Sequence, residues 1–422
     1  MSQMRVLIVG ASIAGPTCAY WFAKAGAIVT VIERFPRMRT GGQNIDIRTA
    51  GVSVMRKMPG MEAAVRAKIV PIDGISFVRS DGRPYGVITA TGNPDQQSLV
   101  SEYEIYRGDL AQILHDLTKA NPSIKYIFDE QVASLRQSEK EDAPVQVKFA
   151  NGTPTSEYDL VVACDGATSR TRAIGLDCGV RDHMIPINSW AVFGTIKEDI
   201  VKGSKVGQAY SAVPGKFVAA GVDPSGGNRV TFMSIHPRND PDNAMPPFRE
   251  AMKQGDEALK QFVAQRFRGS GWKTDELLKA MMTAEDFYAN EIAQVKLPSL
   301  HRGRFVLVGD AGYAAGPTGG GTTLALAGAY LLAGEVCKHK GNLVAGLNGY
   351  EEQMKPLIAE LQKIPTLIPG VLAPQTAWGL WLRNNIFAFI VWTRVFEVAQ
   401  KYFGGAFASA ETFPLPEYDW ES

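Results

Sequence analysis

Cysteine is scarce in this chain. Its four copies, Cys18, Cys164, Cys178 and Cys337, are scattered with no C-x-x-C spacing, which argues against a zinc site and against a disulfide framework. The five histidines (His115, His183, His236, His301 and His339) form no H-E-x-x-H pair, so two imidazoles one helical turn apart on a metal are excluded too. Each histidine reads as structural or solvated. Neither sign of charge dominates: 44 basic against 43 acidic residues leave a formal net charge of +1, which gives no reason to expect nucleic acid or an acidic membrane as partner. Long apolar runs are missing as well. The nearest, Ile386 to Trp392, falls short of the roughly 18 residues that a membrane span needs. The first apolar strand starts at about Met4, which leaves no length for a cleaved leader. No internal repeat or low-complexity tract is present. The expectation is a reduced, cytoplasmic protein, 45% hydrophobic and 21% charged, able to build a sizeable core. Its 422 residues fit two to three domains.

What is present is three short runs, far apart, that suit one large dinucleotide. The first is Val6 to Gly15, the second Cys164-Asp165-Gly166, the third Val308 to Gly312. Met4 to Val9 is apolar and β-branched, the signature of a buried parallel strand. Gly10 permits the tight turn that follows, and Gly15 permits close packing of helix on strand. Pro16 to Ala25 is compatible with a helix, and Ile28 to Ile32 is a second buried strand ending in Glu33. In such a βαβ unit the acid can accept ribose hydroxyls. The pyrophosphate then sits on the unpaired N–H groups of Ser12, Ile13 and Ala14, where the helix dipole favours anions. Ser12 occupies the middle glycine position of G-x-G-x-x-G, and two outcomes are open for it: its side chain crowds the pyrophosphate, or its hydroxyl replaces a lost contact. A plain nicotinamide dehydrogenase needs only this first run. Needing all three points to FAD held along its whole length.

The nucleotide-binding pattern is not contiguous. Arg34 to Ile47 is basic, with Gly41-Gly42 as a loop signal. Asp73 to Tyr85 reads as a strand, an Asp-Gly turn and a strand. Arg107 to Ala120 has helical spacing and stops at Asn121-Pro122. Val145 to Phe149 and Asp159 to Ala163 flank a turn at Asn151-Gly152. From about Arg181 to Ile235 the chain is strand-like, in the pieces Trp190–Ile196, Val206–Val213, Lys216–Val222 and Arg229–Ile235. Helices are expected at about Pro247–Phe267, Asp275–Met282, Gly321–Lys338 and across 345–403, with a buried strand at Phe305–Val308. The fold class is therefore α/β: a Rossmann-like FAD-binding domain of three-layer ββα/βαβ architecture, an inserted mostly antiparallel substrate sheet, and C-terminal helices. The expected division is 1–72, 102–180 and 290–345 for the FAD domain, 73–101 and 181–289 for the substrate domain, and 346–422 for a helical segment bridging them.

In combination these motifs resemble the single-component, class A flavoprotein monooxygenases of the p-hydroxybenzoate hydroxylase fold, in particular the short branch that includes tetracycline-inactivating enzymes. The resemblance covers about residues 4 to 370. Cys164 to Arg172 matches the family's D-G-x-x-S-x-x-R, and Gly303 to Asp310 followed by Pro317 to Gly321 matches its G-D-A-x-x-x-x-x-P-x-x-G pattern. Thr323 to Tyr330 resembles the helix that follows. Two departures are visible: Tyr313 stands where the family usually has histidine, and the stretch before Gly321 is one residue shorter. The resemblance implies roles for Arg39 (nicotinamide dinucleotide), Asp46 (flavin or ribityl side) and Arg107 (FAD phosphate or ring edge), beside the basic neighbour Arg34. It also implies Asp165 for FAD and NAD(P)H together. Gly309-Asp310 can meet the ribityl hydroxyls, Pro317 and Gly320 pass the backbone close to the ring, and the N–H groups near Gly321 and Thr322 can stabilise charge on the reduced flavin.

The implied activity is hydroxylation of a small aromatic or polyketide-like substrate, with NADPH or NADH as reductant and O2 as oxidant, through a C4a-hydroperoxyflavin. The flavin is expected to move between a buried and a more exposed position. Epoxidation or Baeyer–Villiger oxidation would use the same chemistry. A halogenase is disfavoured, since its W-x-W-x-I-P signature is missing. The non-enzymatic alternative is a binding protein of the GDP-dissociation-inhibitor type. No catalytic base is singled out, no metal is expected, and oligomeric state is left open. Substrate residues should come from one face of the inserted sheet, where alternate side chains point the same way. The resemblance groups Gln208 and Tyr210 with Thr231 and Met233; the opposite parity would bring in Phe232 and Ser234. The aromatics Trp378, Trp381, Phe387, Phe389, Trp392 and Phe396 either close the pocket from a bridging helix or simply pack that helix down.

Overall fold

A computed structural model describes residues 3–39, 41–70, 72–89, 103–138, 140, 143–224, 226–237, 245–340, 342–364, 371–393 and 414–420. Its first sheet is built from strands remote in sequence. In spatial order they are His301–Arg302, Phe305–Leu307, Leu160–Ala163, Arg5–Val9, Ile28–Glu33 and Ile124–Phe128, parallel throughout except for the first pair. The apolar runs of the central strands, Val6 to Val9, Leu160–Ala163 and Phe305–Leu307, are buried on both faces, as interior parallel strands require, while the edge strand Ile124–Phe128 is only partly covered. One face carries the helices Ala14–Lys24, Arg107–Asp116 and Gly321–Lys338, which share a core with Val6, Ile8, Val29, Val31 and Val162. The other face carries a three-stranded meander, Val132–Arg136, Val145–Phe149 and Ser156–Tyr158, packed on Leu7, Val9, Ile32 and Val161. The result is the expected ββα layering.

Register decides the rest. Val9 pairs with Ile32 on one side and Ala163 on the other, and Ala163 pairs with Leu307. The three motif runs therefore all leave the sheet at its carboxyl edge, side by side, where open α/β sheets bind ligands.

The second sheet has seven strands in the order Tyr288–Val295, Met184–Ile196, Asn228–Ile235, Lys216–Val222, Val206–Ala212, Gly74–Val78 and Pro84–Thr89. All its pairings are antiparallel except that of Val206–Ala212 with Gly74–Val78. Its helix-covered face buries Trp190, Val192, Val218, Val230 and Phe232 against the helices Met245–Gln254, Asp256–Phe267 and Thr274–Met281. The single helix expected over Pro247–Phe267 is two helices, because Gly255 takes φ +103° and breaks it.

At the C-terminal end, the helix Leu343–Leu361 packs behind Gly321–Lys338, and Ala377–Thr393 lies on the hairpin strand Pro84–Thr89. Residues 414–420 are not helical, contrary to the expectation for 346–422. Tyr418 donates to Glu335 Oε1 at 2.8 Å, Tyr330 donates to the Pro416 carbonyl at 2.7 Å, and Trp420 stacks on Trp21 at 4.9 Å between ring centres. The expected helix beyond Thr393, with Phe396, lies outside the described residues. Among the described residues, no helix is long and apolar enough to cross a membrane.

Candidate active site

Two glycines shape the first turn by having no side chain. A Cβ on Gly10, whose φ is +109°, would lie 2.6 Å from the Cys164 carbonyl oxygen, and one on Gly15 would lie 1.8 Å from that of Gly10. The turn thus presses against the Asp165 run on one side and against itself on the other. Ser12 within it is half-buried. The helix Ala14–Lys24 starts at Ile13 with no side-chain cap, and Gly321–Lys338 starts at Gly320 likewise uncapped. Two helices of eleven and eighteen residues therefore offer free N–H groups to anionic atoms.

Glu33 at the end of its strand accepts the N–H groups of Ala11 (2.9 Å) and Phe35 (3.1 Å). It ties the turn to the basic loop that follows. Arg34 lies 4.8 Å and Arg39 5.0 Å from the Phe35 ring, and Arg39 also lies 5.9 Å from Tyr288. Burial, then the charges of Arg107 and Arg34, lower the Arg39 guanidinium from its usual range. Tyr288, whose phenol burial pushes up to about 12, accepts the Gln43 N–H at 3.1 Å and stacks on Phe193.

Asp310 is accessible yet hemmed in by protein, as a side chain at the bottom of a deep cleft would be. Burial raises its carboxyl, and Arg107 opposes that rise. Gly321 approaches closely enough that a Cβ on it would meet Asp310 Oδ1 at 3.5 Å. Asp46 is held by Arg48 at 2.8 Å, and the Arg48 backbone is bridged by Thr323 Oγ1, which accepts its N–H at 3.3 Å and donates to its carbonyl at 2.9 Å. Asp46 thus stands beside the start of the long helix, near the buried Thr322. Pro317 and Gly320 belong to the loop that leads into it.

Asp165 is fully engaged by its own loop. Ser169 donates to Oδ1 at 2.5 Å, while the Thr171 N–H and hydroxyl donate to Oδ2 at 3.1 and 2.9 Å. Arg172, fully buried, donates to the carbonyls of Ala311 (2.7 Å), Ala167 (2.9 Å) and Val180 (2.6 Å). It pins the Asp165 loop to the residue after Asp310. Tyr313 points into the core. Its hydroxyl is 3.0 Å from that of Tyr350, which donates to the Leu307 carbonyl, and Gly328 opposite it leaves the room. That departure from the family pattern is absorbed behind the cleft.

The expected grouping of substrate residues needs correction. Across the second sheet Tyr210 pairs with Val218 and Val218 with Phe232, while Gln208 pairs with Ala220 and Ala220 with Val230. Paired residues share a face. Gln208 and Tyr210 therefore lie on the helix-covered face, and Tyr210 donates to the Ser270 carbonyl at 2.9 Å. Thr231 and Met233 lie on the other face, with Phe193, Ala219 and Phe217. That face continues through Tyr288 to the Arg39 loop and through Ala209 to Phe77.

Three residues of this site escaped the sequence reading. Arg229 donates to Asp223 (2.9 Å) and Asp286 (2.7 Å) and lies 4.4 Å from the Tyr106 ring, just before Arg107. Asp286 and Tyr288 belong to no motif, and only the tertiary fold brings them here. A recess of about 550 Å³ at the opposite ends of the parallel strands, lined by Arg5, Ile28 and Tyr158 among others, lies away from all of these groups. It is at the wrong strand ends for a ligand site in such a sheet.

A family model described as "FAD binding domain" matches residues 3–361. The chain is 33% identical to the FAD-dependent monooxygenase asL4 of Sarocladium schorii, over 94% of each chain. It is 31% identical to the monooxygenase CTB7 of Cercospora beticola, over 99% of this chain and 98% of that one. Among solved structures, the tetracycline destructase Tet(51) is similar with a TM-score of 0.76 and 27% identity, covering 99% of this chain and all of that one.

Proposed function

This chain belongs to the FAD-binding-domain family of flavin-dependent monooxygenases, and on that premise we propose that it hydroxylates a small aromatic or polyketide-like substrate with FAD, NADPH or NADH, and O2. The balance is substrate, O2, NAD(P)H and a proton going to hydroxylated substrate, water and NAD(P)+. The observation that carries this reading is the convergence of Gly10, Asp165 and Asp310 on one sheet edge beside two uncapped helix starts. The cofactor fits these residues: a Cβ would fill the Gly10–Gly15 turn, and Asp310 is a solvent-accessible acceptor at the carboxyl edge of the parallel sheet, next to the start of the long helix.

Bound FAD would supply hydride acceptance and O2 activation. The protein's part is positioning, water exclusion and charge stabilisation. The N–H groups of Ser12, Ile13, Ala14 and Gly15 would hold the pyrophosphate, and Glu33 and Arg34 the adenosine side. Asp310, Gly309 and Asp46 would hold the ribityl side with Arg107 across the cleft, and Asp165 would fix the loop between. Pro317, Gly320, Gly321 and Thr322 would present backbone N–H groups to negative charge on the ring. Arg39, stacked on Tyr288, would receive the nicotinamide dinucleotide. Thr231 and Met233 would wall the substrate. Relatives named as monooxygenases support the oxygen-transfer chemistry, and a structural neighbour named as a tetracycline destructase supports the polyketide-like option for the substrate.

The test is to identify the flavin in the purified protein and follow NADPH oxidation against phenolic and polyketide-like aromatics, with product mass read in parallel. A substrate that accelerates oxidation and gains one oxygen atom is the expected result. A colourless protein that oxidises no NADPH or NADH would overturn the reading.

A further inference from the structure

Among the described residues, three arginines have buried guanidinium nitrogens without a hydrogen-bond partner, Arg172, Arg266 (at Nε alone) and Arg383, and they differ in kind. Arg172 lacks a partner only at Nε, while its other nitrogens hold three carbonyls. Arg383 lacks one at both Nε and Nη1. It comes from the helix Ala377–Thr393, whose sequence contains no acidic residue and no other cation. Its Cζ lies 4.2 Å from the centre of the Phe77 ring, which also meets Phe387 of the same helix and Phe217 of the sheet. Asn384 beside it is 7% exposed, and its Oδ1 has no partner either.

The position matters. Phe77 and Phe217 share the sheet face that carries Ala209, Ala219, Thr231, Met233 and Phe193, and that face ends at Tyr288 beside Arg39. Arg383 therefore stands over the same face as the candidate substrate residues, at the end opposite the cofactor loops. The floor between is neutral: small alanines, one threonine and aromatic walls. The acids nearest the cofactor end, Asp223 and Asp286, are already engaged by Arg229. Arg383 as a whole is half-buried, but buried guanidinium nitrogens such as its Nε and Nη1 are costly to leave without an acceptor unless one arrives with a ligand. Burial holds the Arg383 guanidinium down to about 10, a shift that Tyr85 opposes, in keeping with a cation short of partners.

We infer that Arg383 recognises an anionic oxygen of the substrate, a phenolate, enolate or carboxylate, at the end of the cleft away from the flavin. This rests on the monooxygenase reading, since it names the class of molecule that the same cleft takes. The substrate is then an acidic aromatic whose flat body lies on the alanine floor between Phe193 and Phe77. Its charged edge is gripped by Arg383, and its opposite edge is presented to the flavin.

The test uses the holoprotein and two probes of one shape, 2-naphthoate and the neutral 2-naphthylmethanol, with affinities measured by titration calorimetry. The naphthoate should bind at least about tenfold more tightly, the worth of a charge-assisted hydrogen bond. Arg383→Met should bring the two affinities together by weakening the naphthoate alone, and Arg383→Lys should keep part of the preference. The inference is overturned if neither probe binds, if the wild-type protein does not distinguish them, if Arg383→Met keeps the preference, or if it weakens both probes in parallel, as lost packing would. Flavin content and NADPH oxidation are read separately. Their failure would sink the monooxygenase reading, whereas the anion preference stands or falls on the calorimetry.

Discussion

Gly15 sits where a single methyl group cannot. With the Gly10 carbonyl 1.8 Å from the position of its missing Cβ, Gly15→Ala must push the helix Ala14–Lys24 away from the turn and misalign its free N–H groups. The expected outcome is a folded protein that retains less than about a tenth of its flavin, since an N-terminal anion contact is worth about 1–2 kcal/mol and several are lost together. Flavin absorbance per protein after gel filtration checks it. A second residue acts on stability alone. Glu130, 2% exposed, would have a raised carboxyl through burial, but hydrogen bonds from Thr153, Gln131 and Asn151 overcome that and take it down to about 2. A folded-state value below the unfolded 4.5 means the stabilisation is complete above pH 4.5 and is lost as the pH falls through about 2. Glu130→Gln should therefore cost about 2 kcal/mol at neutral pH, and its melting temperature should converge with that of the wild type as the medium is acidified. A difference that stays constant from pH 7 to pH 2.5 would contradict the assignment.

Among the elements, those with a local signal were legible and those defined by their partners were not. Arg5–Val9, Ile28–Glu33 and Leu160–Ala163 announce themselves as β-branched runs, because a strand buried on both faces has little choice of side chain. The uncapped helix start after Gly10 was legible for the same reason, since strand, glycine turn and acid lie within one βαβ unit. The break at Gly255 was not, because a glycine inside an amphipathic pattern can be tolerated, and only its φ of +103° shows that this one is a hinge between helices. The joint made by Arg172 was half legible. Its motif places it after Asp165, but its bond to the Ala311 carbonyl spans 139 residues. That bond makes two loops one unit. Arg172→Met leaves the Ala167, Val180 and Ala311 carbonyls without their donor, which should cost about 2–4 kcal/mol. It should also weaken FAD rebinding to the apoprotein about tenfold by freeing Asp310 from the Asp165 loop. Unchanged FAD affinity in a destabilised variant would show that the two loops act independently.

At the scale of the whole molecule, the two sheets meet so that only one face of the seven-stranded sheet can reach the cofactor loops. Sequence parity identifies alternate residues within one strand, but which face they share with the next strand depends on register, and register is set by the turn between them and by pairing across the sheet. That is why Thr231 and Met233 fall on the face of Phe193 and Tyr288, while Gln208 and Tyr210 fall on the face of Phe232 and its helices. The consequence is a paired prediction. Tyr210→Phe removes the hydrogen bond to the Ser270 carbonyl and should lower stability by about 1 kcal/mol, with kcat/KM unchanged to within about twofold. Met233→Ala opens the wall of the cleft and should lower kcat/KM about tenfold, in line with the loss of one or two methylenes of contact, while flavin content stays normal. Steady-state kinetics of both variants on the first substrate found, beside thermal melts, checks the pair at once. If Tyr210→Phe lost activity and Met233→Ala kept it, the substrate would sit on the helix-covered face, and the cleft between the two sheets would have to be abandoned as the place of reaction.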